Sequence, residues 1–121
     1  MLSFEMENKL KISARRLKKM PLYNLVQDDR DFKVIVDEEI FFHQTISILE
    51  LAQYCQQWIK EPTEDFIYNT IESDENPLIA FRKQTEGWRL ESVWPECECS
   101  RIFTDEEVKN FVNAIIDKVA S

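Results

Sequence analysis

Residues 32–59, FKVIVDEEIFFHQTISILELAQYCQQWI, decide how this chain folds. Phe32–Val36 and Ile40–His43 are β-rich runs separated by the polar Asp37-Glu38-Glu39, the pattern of an antiparallel hairpin. Ser47 with Glu50 three residues on has the form of a capping box, in which the Ser oxygen takes a backbone N–H and the Glu reaches back to the cap. Ile48, Leu51, Ala52, Cys55 and Ile59 then recur as i, i+3, i+4, i+7 and i+11, the stripe of a core-facing helix. Pro62 closes that helix.

Downstream, Phe66–Glu72 and Leu78–Lys83 read as strands around the turn Ser73-Asp74-Glu75-Asn76-Pro77. The chain's one glycine, Gly87, stands where a tight turn demands positive φ. Trp88, Leu90 and Trp94 are expected on one face of a third strand, and Arg89, Glu91 and Val93 on the other. Cys97–Phe103 is expected to continue as an edge segment after Pro95. Thr104 with Glu107 forms a second capping box, and Asp105 and Glu106 add negative charge at the positive end of the helix dipole. Val108, Phe111, Val112, Ile115 and Val119 make the last helix's apolar stripe.

Upstream, Leu2, Phe4 and Met6 alternate as in a strand. Leu10, Ala14 and Leu17 have helical spacing ending at Pro21, and Asp28-Asp29-Arg30-Asp31 reads as a polar break. The order is therefore (β)-ββ-α-βββ-α. Short hairpin links and one-faced helices imply an α+β two-layer sandwich, with an antiparallel sheet of about five to six strands under two main helices on one face. The chain of 121 residues is read as a single domain, with 1–30 as an N-terminal segment and 31–121 as the body.

Composition restricts the function. One glycine cannot make a phosphate-cradling loop, and His43 is the only imidazole available for proton shuttling. The net charge is −8, yet residues 1–30 hold seven Lys/Arg against four Asp/Glu. The body, with eight against nineteen, repels nucleic acid, whose affinity comes mainly from neutralised phosphates. The basic cluster Lys9, Lys11, Arg15, Arg16, Lys18 and Lys19 is the exception, read as a solvated amphipathic segment docked on the acidic body. Three cysteines without framework spacing point to a reducing compartment. The opening resembles no signal peptide, and the expected localisation is cytoplasmic.

Cys97 and Cys99 on a strand would share a face, but Cys-x-Cys is not a zinc knuckle, and Cys55 and His43 lie on separate elements. Free thiols are expected there, with Glu96 and Glu98 raising their pKa. The carboxylates of Asp37-Glu38-Glu39 and Asp74-Glu75 sit in turns, where water keeps them ionised. Trp88 reads as core, whereas Trp94 reads as an interface aromatic.

Asp65-Phe66-x-Tyr68-Asn69, Glu75-Asn76-Pro77-Leu78-Ile79-Ala80-Phe81, Gly87-Trp88-Arg89-Leu90-x-Ser92-Val93-Trp94 and Phe103-Thr104-x-Glu106-Glu107 together resemble small cytoplasmic Gram-positive proteins. Some of those are similar to immunity proteins of polymorphic toxin systems, including the partner of the wall-associated tRNA-nuclease toxin. The resemblance implies a non-catalytic protein that binds a cognate toxin C-terminal domain, a nuclease, and occludes its active site. It brings no cofactor, metal, membrane or direct nucleic-acid contact. Acidic and aromatic groups suit a basic cleft, so partner contacts are expected at Asp74, Glu75, Glu91, Trp94, Glu96 and Glu98. The alternative is a regulatory or adaptor module that docks through the basic N-terminal segment.

Overall fold

The computed structural model describes residues 1–7 and 11–120. In chain order the elements are β1 (Leu2–Met6), α1 (Ala14–Lys19), α2 (Leu22–Leu25), β2 (Asp29–Val36), β3 (Glu39–Ser47), α3 (Ile48–Ile59), β4 (Phe66–Tyr68), β5 (Ile79–Gln84), β6 (Gly87–Glu91), β7 (Ile102–Phe103) and α4 (Asp105–Val119). The fold is an α+β sandwich. Its strands divide into two antiparallel sheets, β1-β2-β3 and β4-β5-β6-β7, where the sequence suggested one. The reason is α3, which follows β3 at once and carries the chain away before the second sheet starts. Each main helix then spans the gap: α3 packs on β2 and β4, α4 on β1 and β6, and the two helices pack on each other.

The expected hairpin is present and longer than its apolar core. Asp29–Asp31 are not a break but the first rungs of β2, opposite Ser47–Thr45. The turn is reduced to Asp37 and Glu38, both at positive φ, as a primed two-residue hairpin requires. Neither is glycine, and Asp37 is held by long-range bonds. Its N–H donates to the Met1 carbonyl at 2.8 Å. Its carboxylate takes the N-terminal ammonium and the Arg101 guanidinium, the latter at 2.6 Å.

Strict alternation fails on β3. The register shifts between Val34 and Ile35, so Val34 faces Phe42, Ile35 faces Ile40, and Phe41 is the extra residue of a bulge. Phe41 and Phe42 are consequently both buried, while Ile40 is exposed.

The helix stripes follow the periodicity. Ile48, Leu51, Ala52 and Cys55 of α3 are buried, as are all five stripe residues of α4. The Thr104–Glu107 capping box forms in full. The Ser47–Glu50 box does not, although Ser47 is the N-cap residue. The Ser47 hydroxyl instead meets the carboxylates of Asp29, at 3.0 Å, and Glu72. Glu50 turns into the interior, where it accepts from the Tyr68 hydroxyl at 2.8 Å and the Ile71 N–H at 3.4 Å. Burying a carboxylate requires donors, and Tyr68 supplies one at no cost to the helix.

Other expectations are shortened. β4 stops at Tyr68 rather than Glu72, and only Ile102–Phe103 of the 97–103 stretch pairs with β6. β6 ends at Glu91, so Trp94 leaves the face shared by the buried Trp88 and Leu90. At the N-terminus β1 forms as expected, and α1 stops at Lys19 before Pro21, which opens α2. The expected helical position Leu10 and the cation Lys9 lie outside the described residues.

Two predictions follow from this packing. Gly87 has φ +145°, and a Cβ there would lie 2.4 Å from the Phe103 carbonyl oxygen. Gly87→Ala is expected to lower the urea-unfolding free energy by at least about 2 kcal/mol, since the backbone of β7 must move as well as φ. Asp105 accepts from the Trp88 indole and from Lys83, and these bonds hold its carboxyl below the usual value. Its contribution is complete above the unfolded value of about 3.9 and is lost as pH falls through the lower folded value. Asp105→Asn should flatten the fall of stability with acid below about pH 4, as read by thermal unfolding at stepped pH.

Candidate binding cleft

The irregular segment 92–101 between β6 and β7 closes one side of the molecule. Ser92 opens it by capping the Trp94 N–H at 3.1 Å. The Val93 N–H donates to the Pro77 carbonyl at 3.0 Å, which ties it to the 71–77 turn. The Glu96 N–H donates to the Phe41 carbonyl at 2.7 Å, and the Cys97 thiol to the Ile40 carbonyl at 3.4 Å. The bulge at Phe41 is thus where the second sheet's connection grips the first sheet. Arg101 ends the segment, bonded to Asp37 and Glu107 at 2.6 and 2.7 Å, with its guanidinium over the Phe103 ring.

These ties leave an open cleft of about 760 Å³. Phe41, Pro77, Leu90, Val93 and Pro95 give it apolar walls, and Arg89, Glu91 and Glu98 bring charge. Glu91 is already engaged, with the Arg82 guanidinium at 2.9 Å. Arg89 is in no ion pair among the described residues.

The turn that borders the cleft is stitched by one side chain. The Asn76 amide oxygen accepts the Thr70 N–H at 2.9 Å, and its nitrogen donates to the carbonyls of Thr70 and Ser73 at 3.1 and 2.9 Å. The Ser73 hydroxyl takes the Glu75 N–H at 3.0 Å. This leaves Asp74 exposed and aims Glu75 at Trp94, whose indole N–H donates to the Glu75 carboxylate.

The six residues singled out from sequence therefore fall on two joined segments beside one cleft. Glu91 and Glu98 line it, Glu75 and the half-buried Trp94 are bonded to each other next to Val93 and Pro95, and Asp74 and Glu96 are exposed neighbours. The other lining residues were not singled out, and Arg89 and Phe41 show why. Arg89 could have been found, because it alternates with the buried Trp88 and Leu90 and so had to face outward. Phe41 could not, because its position depends on the bulge.

Groups able to do chemistry are elsewhere or subdued. His43 Nε2 lies 2.9 Å from an Asp31 carboxylate oxygen on the exposed surface of the first sheet. Burial, then Glu39, Cys99 and Glu96, push the Cys97 thiol up. Cys55 is buried beneath α3, and burial raises its thiol far above the ordinary value. Among the described residues no three His, Cys, Asp or Glu side chains are grouped to hold a metal ion, and no helix is long and apolar enough to cross a membrane.

The geometry defines an α+β protein of two antiparallel sheets under two amphipathic helices, with an apolar-walled cleft that Arg89, Glu91 and Glu98 also line. The chain belongs to the family described as a domain of unknown function (DUF7878), whose model matches residues 2–121. No curated protein and no solved structure matches it.

Removing the stitch should open this rim. Asn76→Ala is expected to lower stability by about 1–3 kcal/mol, since it unpairs the Thr70 backbone groups. Loss of the ordered turn should also free Trp94 from Glu75 and shift its share of the emission to the red, measured in a Trp58→Phe background where the buried Trp88 is the other indole.

Proposed function

We propose that this protein is a non-catalytic immunity protein that binds a basic toxin domain, a nuclease, and covers its active site. The observation that carries the reading is the bonded Glu75–Trp94 pair, with Trp94 between Val93 and Pro95 of an apolar-walled cleft that Glu98 also lines. A half-buried indole beside apolar walls offers the desolvated anchor on which interface energy concentrates. Carboxylates around it steer a cationic surface and discourage anionic ones. The body's balance of nineteen acidic against eight basic residues extends that steering beyond the cleft. The sequence resemblance to immunity proteins points the same way. The protein is read as working in the cytoplasm, where a nuclease would meet its substrate.

The test is co-expression with the toxic domain encoded by the adjacent gene. Survival that depends on this chain supports immunity, and killing that persists overturns it. With the purified pair, Glu75→Lys with Glu98→Lys should slow association about tenfold at low salt. Trp94→Ala should speed dissociation at least about thirtyfold, the effect of losing an interface anchor worth about 2 kcal/mol. Unchanged rates in both variants would remove this face from the reading.

A further inference from the structure

The cations of α1 and α2 are not used to hold these helices in place. α1 lies on α3 through the fully buried Leu17, and α2 through Leu25. Glutamines of α3 grip the α1 backbone: Gln53 Nε2 donates to the carbonyls of Leu17 and Met20, both at 2.9 Å, and Gln56 Nε2 to that of Ala14 at 2.9 Å. Neutral donors and apolar side chains thus do the docking. Arg15, Arg16, Lys18 and Lys19 are left exposed, and among the described residues none is in an ion pair.

Several cations elsewhere are paired, although Arg89 is in no ion pair among the described residues. Arg30, Lys33, Arg82, Lys83 and Arg101 each meet a carboxylate. In a chain of net charge −8 there is no shortage of anions to pair with. The basic patch is even enlarged from outside the segment. Lys60, just past α3, lies near enough to Lys18 that interaction with that like charge holds the Lys60 ammonium below the usual lysine value. Like charges brought together without a counter-ion are unfavourable in the isolated protein, and a bound polyanion relieves the repulsion.

The shape adds chemistry to the charge. A shallow cleft of about 440 Å³ between α1 and α2 presents Arg15, Arg16 and Lys19 with the Ser13 hydroxyl and the Asn24 amide, and no carboxylate lines it. Two guanidinium forks, an ammonium and neutral donors form a set suited to phosphate oxygens. Between the lining residues Pro21 and Asn24 in the chain, Tyr23 is 75% exposed and Leu22 44%. An exposed aromatic ring at the margin of a basic groove is what a single strand uses to stack a base while its backbone follows the cations.

We propose that the α1–α2 face is a binding site for single-stranded nucleic acid, with phosphates on Arg15, Arg16 and Lys19 and a base stacked on Tyr23. Three separate cations along the cleft give it room for several phosphates rather than one. The acidic body limits the footprint to this face and makes binding sensitive to salt. The site does not depend on the cleft assigned to a toxin partner, and either can fail without the other.

The experiment is fluorescence anisotropy with a fluorescein-labelled uridine dodecamer and the full chain at low ionic strength. Saturable binding is expected, with a log–log salt slope of about −2 for three phosphate contacts. Arg15→Ala with Arg16→Ala and Lys19→Ala should weaken it at least about tenfold. Tyr23→Ala should weaken it about fivefold or more while Tyr23→Phe leaves it unchanged, a difference that general attraction to cations does not produce. Glu75→Lys with Glu98→Lys should leave the Tyr23 dependence intact. No saturable binding, or a triple variant that binds as the parent does, overturns the proposal. So does Tyr23→Ala without effect together with inorganic polyphosphate competing equally per phosphate, which would make the face a general polyanion surface.

Discussion

The two sheets meet through the ring of Phe111. Phe111 of α4 stands edge-on to Phe4 of the first sheet and at a steep angle to Phe81 of the second, with centroids 5.6 Å away in both cases. From there the aromatic packing runs both ways, through Phe32 to Phe42 in one sheet, and through Phe66 of the other to Trp58 of α3 and on to Trp88. Neither sheet has a pairing partner in the other, so side-chain packing under α3 and α4 must do what hydrogen bonds do within a sheet. Large aromatic rings suit that task because each buries much area and tolerates edge-to-face geometry.

A second set of ties works at the surface and sets the candidate cleft. Segment 92–101 would be an unpaired connection were its backbone not bonded to Phe41 and Pro77 and its arginine not shared between Asp37 and Glu107. Those bonds join residues far apart in sequence, and they hold acidic and aromatic side chains at the rim without burying them. A binding face made in this way is preorganised, which lowers the ordering cost that a partner would otherwise meet.

The two ends of the electrostatic pattern have different physical support. Carboxylates near the cleft are placed by loop geometry, with Asn76 and Ser73 shaping the turn that carries Asp74 and Glu75. The cations of α1 are placed by a helix docked through leucines and glutamines, which leaves every guanidinium and ammonium of that helix turned to water. A chain of net charge −8 therefore offers two chemically distinct faces. Mean charge alone describes neither.

The sequence by itself determined the elements whose cause is local. The hairpin, the α3 and α4 stripes, the Thr104–Glu107 cap and the glycine at 87 each follow from residues within a few positions of one another, where periodicity and capping act. The acidic and aromatic candidates were legible as types and positions, and their gathering beside one cleft was not. Only the tertiary structure decided the split into two sheets, the bulge that turns Phe41 inward, the departure of Trp94 from its strand face and the use of Glu50 as a buried acceptor rather than a cap. Each of these depends on a partner remote in sequence, as with Cys97 and Ile40, 57 residues apart, or Arg101 and Asp37, 64 apart. A local pattern carries no information about such a partner, because the competing bond exists only once the chain has closed on itself.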